Sequence, residues 1–420
     1  MTQPRTAILH YTAPPVVGGV EAVMQAHARA FVQNGYPIAI LAGRGQADAL
    51  PEGAELICLP EIDSRHPKVM PLSTQLEQGE VSPRFAEMTG RLVDSLDPVL
   101  RDFDHVIVHN VFTKHFNLPL TAALCRLLDQ GKLQNCIAWC HDFTWTSPSS
   151  RSKVHPGYPW DLLRTRRLDV TYVVVSQQRQ HELAALYGCS PDEVRVVYNG
   201  VDPEVLLGLG AESQELIGRL GLLGADLILL MPVRVTQAKN IEYALHVVAA
   251  LRARGCRPKL VLTGPPDPHD ARSMVYFRSL QELRQELGVE QEMRFVFESG
   301  PEEEGPYLIG PEVVGDLYRI TDLMFMPSHR EGFAMPVMEA GLAGIPVVCT
   351  AVPAAVEIGG QDLILFDLDE SPAEVAERIL AWAGDSPVHR LRCRVRSNYT
   401  WQAIFCRDIE PLLRDKDGAP

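Results

Sequence analysis

No stretch of this 420-residue sequence approaches the roughly 20 consecutive apolar residues that a membrane-spanning helix requires. Basic residues are the minority: 39 Lys and Arg stand against 53 Asp and Glu, for a formal charge of −14. That balance excludes a general nucleic-acid binder, which carries a basic excess, and weakens a role gripping anionic lipid. Cysteine is sparse and odd in number, with nine scattered residues. Most, such as Cys58, Cys349 and Cys406, sit in apolar runs, so a disulfide framework is excluded and a reducing, cytoplasmic compartment is expected. Cys136, Cys140 and the adjacent His141 do not make a metal site, because a strand puts the two cysteines on one face with nothing spaced to complete a tetrahedron. The opening residues 1–10 hold only a short apolar run and are not expected to be a signal peptide. A G-x-G-x-x-G after the first strand is also missing, and Gly18-Gly19 arrives too late for a dinucleotide fingerprint.

What is present is an ordinary globular composition, 46% hydrophobic and 22% charged, in a chain long enough for two α/β domains. Short β-branched runs alternate with longer helical patterns, as in parallel sheets covered by helices on both faces. Strands are expected at 6–10, 37–42, 105–109, 136–139 and 171–175, with a helix over 20–34 that Gly35 stops. The pattern restarts with strands at 227–233, 259–263, 294–298, 323–326 and 346–349, and helices at 240–254 and 272–287. The turn-rich Asn199-Gly-Val-Asp-Pro203 and the polar segment after it mark the domain boundary. Two stretches, 63–83 and 299–310, read as non-regular. A helical pattern closes the chain from Trp401 to about Arg414.

In open parallel sheets, ligands gather at the carboxyl ends of strands. Several strands here end in polar residues, among them His10, His109 with Asn110, His141 with Asp142, and Ser176. The strongest signal is Pro327-Ser-His-Arg-Glu-Gly-Phe-Ala-Met-Pro-Val-Met-Glu339, which follows an apolar strand and opens an apolar helix at Pro336. Unpaired amides from Gly332 through Phe333 and Ala334 to Met335 would then face a phosphate at a helix N-terminus. Glu331 and Glu339 flank them, one placed for a sugar hydroxyl and the other for a ribose.

The E-x7-E spacing in this context resembles the retaining glycosyltransferases of family 4. The resemblance extends through Gly18-Gly-Val-Glu21, Tyr198-Asn-Gly-Val-Asp202, Arg234 with Lys239, Gly344-Ile-Pro-Val347 and Glu357, and so spans most of the chain. It implies the GT-B fold: two facing Rossmann-like domains with parallel sheets and a deep interdomain cleft. The acceptor domain would be 1–202, with a terminal helix at about 400–418 packing back on it, and the donor domain 203–399. It implies that Arg234 and Lys239 hold the donor pyrophosphate, that Glu331 contacts the hexose and that Glu339 contacts the ribose. Gly18, Gly19 and Gly264 would let backbone approach the donor closely. His141 would stand nearest the transferred sugar, with His109 its rival. Asp142, Arg151 and Lys153, with His155, would face the acceptor.

The activity implied is transfer of a hexose from a nucleoside-diphosphate sugar, UDP or GDP, to a hydroxyl of a small polar molecule or saccharide. Configuration would be retained, through a front-face route in which the donor phosphate helps to deprotonate the acceptor. Neither a metal nor a resident cofactor is expected. A fixed cation pair suffices chemically, because a nucleoside diphosphate leaves only if its growing charge is met. Two departures from the family pattern stand out: the insertion containing Glu302-Glu303-Glu304, where the base is normally framed, and Thr263-Gly-Pro-Pro266 in place of a more open glycine turn. The competing readings are a nucleotide-sugar epimerase or a phosphorylase of the same architecture, and a catalytically silent nucleotide-sugar binder.

Overall fold

The computed structural model describes residues 3–267, 271–301 and 305–414. It divides into two compact units, the first running to Val201 and resuming at Trp401, the second comprising Asp202–Thr400. In the first, seven parallel strands are β1 Thr6–His10, β2 Ile38–Ala42, β3 Ala54–Cys58, β4 His105–His109, β5 Cys136–Cys140, β6 Val170–Val174 and β7 Arg195–Val196. Their order is β3-β2-β1-β4-β5-β6-β7. The helices are α1 Gly19–Gln33, α2 Met70–Glu77, α3 Arg84–Leu100, α4 Leu118–Asp129 and α5 Gln177–Tyr187.

The second unit has a six-stranded parallel sheet of β8 Leu227–Met231, β9 Pro258–Leu262, β10 Met293–Phe295, β11 Leu323–Met326, β12 Val347–Thr350 and β13 Ile364–Phe366. The order is β10-β9-β8-β11-β12-β13. Its helices are α6 Pro203–Leu206, α7 Ala211–Leu220, α8 Ile241–Ala253, α9 Ala271–Glu286, α10 Pro311–Ile320, α11 Met335–Ala343, α12 Pro353–Gly359, α13 Pro372–Asp385 and α14 Pro387–Asn398. Both units are thus Rossmann-like, the pair of domains that defines the GT-B fold.

The continuous apolar runs of the strands follow from burial on both faces. In the first unit Leu9, Leu41, Val108 and Ala138 pack into one core, whereas Ile8, Ile40, Ile107 and Trp139 pack into the other. The second core is closed by Ile404, Phe405, Ile409, Leu412 and Leu413 of the terminal helical segment, which runs from Trp401 to Arg414 with one π-helical turn. The expected extension of that helix to 418 lies outside the described residues, as does Glu302-Glu303-Glu304. In the second unit Leu229, Met231 and Phe325 face one core and Ile228, Leu230 and Met324 the other. Among the described residues no helix is long and apolar enough to cross a membrane.

Three expectations need correction. The stretch 63–83 is not wholly irregular: α2 forms within it because Pro71 opens a helix whose Leu72 and Leu76, one turn apart, are buried. The strand expected at 294–298 stops at Phe295, and Val296–Glu298 tightens into a 3₁₀ turn. Arg234 does not end a strand; β8 stops at Met231 and Arg234 belongs to the loop beyond. Three short strands, β3, β7 and β13, were not anticipated at all.

A buried ion pair ties α14 to the sheet of the second unit. The fully buried Asp322, just before β11, accepts from Arg396 Nη1 (3.1 Å), Arg396 Nη2 (2.8 Å) and the Ile228 amide (2.9 Å). Removing one partner strands a charge in a poor dielectric. Arg396→Met is therefore expected to cost about 3–5 kcal/mol, and the double variant with Asp322→Leu clearly less. Urea unfolding followed by circular dichroism checks this, and equal losses in the two variants would contradict it.

Candidate functional site

Each sheet reverses its winding beside its first strand, between β1 and β4 in one unit and between β8 and β11 in the other. The helices leave such a point in opposite directions and open a crevice at the carboxyl ends. The side chains singled out from sequence concentrate at these two places.

In the second unit the loop after β8 carries Arg234 and Lys239, and the loop after β11 carries Ser328 to Ala334. Lys239 Nζ donates to both oxygens of Glu331, at 2.7 Å each. The pair is well shielded, with side-chain exposures of 20% and 6%. A backbone bond, His329 N to Ala238 O at 2.9 Å, holds the same two loops together. The Ser328 carbonyl accepts from Thr350 Oγ1 (2.6 Å), which anchors the second loop to β12. Arg234 is exposed and meets no ion-pair partner among the described residues. Gly264 is needed for space: a Cβ there would lie 2.6 Å from the Val233 carbonyl carbon and 2.7 Å from the Arg234 amide. It thereby fixes how closely the β9 loop approaches the arginine.

Gly332 and Phe333 are exposed, and Ala334 adopts the left-handed conformation at φ 59°, which costs a residue with a Cβ about 1–2 kcal/mol. That kink starts α11 at Met335 with Pro336 in its first turn, and no side chain among the described residues caps its N-terminus. Glu339, exposed on α11, accepts from the Tyr318 hydroxyl at 2.6 Å. Burial and the Glu339 carboxylate push Tyr318 well above the usual phenol range, so it remains a proton donor. Tyr318 on α10 was missed from sequence, since a tyrosine in an amphipathic helix reads as core.

In the first unit, β1 ends at His10 and β4 at His109, the two strands that flank the reversal. His10 Nδ1 donates to the His109 carbonyl at 3.0 Å. His109 Nδ1 lies 3.0 Å from His141 Nε2, and the two rings are nearly parallel. His109 is fully buried, whereas His141 keeps part of its surface open. Asn110, left-handed at φ 60° as asparagine tolerates, accepts from the amides of His141 (2.8 Å) and Asp142 (3.3 Å) and so shapes the turn after β5. Behind them His27 of α1 lies edge-on between the indoles of Trp139 and Trp401. The sequence offered His10 and Asn110 only as polar strand ends expected to line a crevice, and His27 not at all. Only the strand order makes β1 and β4 neighbours.

The remaining candidates are placed as follows. Gly18 caps α1 in extended backbone, and a Cβ on it would collide with the carboxylate of Glu21, which Thr12 Oγ1 holds; Gly19 meets nothing within 4 Å. Asp142 is exposed and paired with Arg179 (3.1 Å). Arg151 stacks on Trp145 and donates to the Val154 carbonyl, and Lys153 pairs with Glu77 (3.3 Å), so both serve the local fold. His155 meets the Glu77 carbonyl (3.1 Å). The Cys136 and Cys140 thiols are buried, and burial pushes both up, Cys140 to about 12.

Two Rossmann-like domains, each bearing polar groups at its winding reversal, give the chain the two-domain architecture of the GT-B class. Residues 17–205 match the family model "Glycosyltransferase Family 4", and 213–398 match "Glycosyl transferases group 1". The chain therefore belongs to the group 1, family 4-type glycosyltransferases. It is similar to an uncharacterized glycosyltransferase of Methanocaldococcus jannaschii, 27% identical over 55% of this chain and 57% of that protein. It is also similar to the D-inositol 3-phosphate glycosyltransferase of Saccharomonospora viridis, 32% identical over 44% of this chain and 41% of that protein. The matches thus take in about half of each relative's length. Among solved structures, sucrose-phosphate synthase from Thermosynechococcus elongatus aligns over 98% of this chain and 99% of its own, at 16% identity and a TM-score of 0.40.

The histidines give the first unit a pH dependence of definite sign. Burial is the main cause that lowers His27 to about 3 and His141 to about 4, from an ordinary 6.5. Below 6.5 the unfolded chain binds protons that the folded imidazoles refuse, so stability is intact above that pH and falls as the pH drops towards 4. The midpoint of thermal unfolding should decline over this window, and His27→Leu should flatten the decline. A profile that is level from pH 7 to pH 4 would contradict the burial of these rings.

Proposed function

We propose that the chain transfers a hexose from a nucleoside-diphosphate sugar, UDP or GDP, to a hydroxyl acceptor, with retained configuration and without a divalent metal. The observation that carries this is the Lys239–Glu331 bridge across the β8/β11 reversal, with Arg234, which has no ion-pair partner among the described residues, in the same loop as the lysine. A pyrophosphate placed against the start of α11 would meet the Lys239 ammonium, the Arg234 guanidinium and a helix N-terminus, which together neutralise the charge that builds on the departing diphosphate. Glu331, held by Lys239, is set to accept from sugar hydroxyls, and Glu339, steadied by Tyr318, from the ribose.

In the step itself the bond between the anomeric carbon and the diphosphate oxygen breaks, and the acceptor oxygen bonds to that carbon on the same face. The acceptor's proton passes to the departing diphosphate, so no protein nucleophile is required. His141, partly open, is the group of the first unit assigned to the transferred sugar. The relatives whose name specifies D-inositol 3-phosphate support a small polyol-like acceptor for this chain. Localisation in the cytoplasm and the absence of a resident cofactor belong to the same proposal.

Lys239→Ala is expected to lower the transfer rate by about 10²–10³-fold with the circular dichroism spectrum intact. Near-normal turnover would remove the phosphate clamp from the mechanism. Glu339→Ala should weaken nucleotide affinity by roughly tenfold or more in calorimetry, the value of a hydrogen bond to a charged group. Transfer should also persist in excess chelator; a metal requirement would contradict the role given to Arg234 and Lys239.

A further inference from the structure

His109 and His141 present themselves in sequence as rivals for one role, yet the structure joins them. We infer that His109 is a positioning residue that fixes the tautomer of His141, so that His141 offers an Nδ1–H donor, and not a base, to the bound ligand. The inference rests on the proposed site for its functional meaning and on geometry for the tautomer.

The geometry works through a chain of single hydrogen bonds. The His109 carbonyl can only accept, so His10 must carry its proton on Nδ1. Between His109 Nδ1 and His141 Nε2, 3.0 Å apart, one proton is shared. His109 Nε2 is buried and has no hydrogen-bond partner among the described residues. If its proton sat on Nε2, a buried N–H would go without an acceptor. With the proton on Nδ1 the donor is satisfied, and only a lone pair stays unmatched, the less costly defect. His141 Nε2 is then the acceptor, and neutral His141 must carry its own proton on Nδ1, the nitrogen that no protein group engages among the described residues.

Several neighbours support neutral rings. His109 faces His27 from α1, His10 from β1 and His141 from the turn after β5, and burial holds it well below its usual range. His141 contacts His109 and feels the charges of His10 and Asp142, and Asp142 is itself paired with Arg179. Stacking against Trp139 holds the His109 ring in plane. A second proton on His109 would bury a cation whose Nε2–H meets no acceptor among the described residues, and a second proton on His141 would reverse the shared bond and push the His109 proton onto that same Nε2.

The full chain labelled with ¹⁵N-histidine provides the test, by long-range ¹H–¹⁵N correlation at pH 7.5. The expected result is His141 with its proton on Nδ1; a proton on Nε2 overturns the inference whatever the activity. In His109→Phe, His141 should revert to the Nε2–H form that imidazole prefers in water. His109→Asn places an amide N–H where Nδ1 stands and should keep the original tautomer. His109→Phe should lower kcat on the order of 100-fold with nucleotide affinity unchanged, and His109→Asn should recover most of it. Equal losses in both variants with a shared fall in Tm would show a merely structural residue. If the tautomer is as stated but His141→Phe transfers at the normal rate, the placement of His141 at the sugar fails instead, while the pairing stands.

Discussion

A parallel strand cannot turn back on its neighbour; each connection must cross the sheet, and right-handed crossovers place successive helices on one face until the strand order reverses. Both sheets of this chain reverse next to their first strand. That constraint decides where everything polar can go. The strands are buried on both faces, so the sheet interior accepts only apolar side chains. The carboxyl ends at the reversal are where loops diverge and polar side chains can point into a crevice. His10 and His109 occupy it in one unit, and Lys239 and Glu331 in the other.

The two places differ in their electrostatics. The second unit gathers charge: an ammonium bound to both oxygens of one carboxylate, an exposed guanidinium in the same loop, and a helix N-terminus that no side chain caps among the described residues. Such a set suits an anion whose charge grows during reaction. The first unit gathers neutral imidazoles, kept neutral by burial and by one another. Directional hydrogen bonding, rather than charge, is what it can offer a sugar. A division between a charge-stabilising half and an orienting half fits the transfer chemistry proposed for this family member.

Much of the fold was legible because double burial leaves unmistakable traces. Runs such as Leu227–Met231 and Leu323–Met326 are apolar throughout, and Gly35 ends the preceding helix in the left-handed conformation its position demands. Less was legible where burial is partial. The edge strand β3 has no fully buried residue, and β7 has only two residues, so neither leaves a strong pattern. Helix α2 is short, eight residues with only Leu72 and Leu76 buried, and Pro71 sits where a helix start tolerates it.

For the site, the residue types were readable but not their partnerships. The order Glu331, Gly332, Phe333, Pro336, Glu339 marks a strand–turn–helix, because glycine, proline and carboxylate each have a local reason to be there. Local reasons are what a sequence can express by itself: strand and helix, the apolar faces, the turn residues and the side chains available for chemistry. Tertiary structure alone decided that Lys239 is held by Glu331, that Tyr318 steadies Glu339, and that His109 lies behind His141 instead of competing with it. Each of these pairs joins elements brought together by the strand order, and strand order arises from the winding of the whole sheet, which no short window of sequence contains.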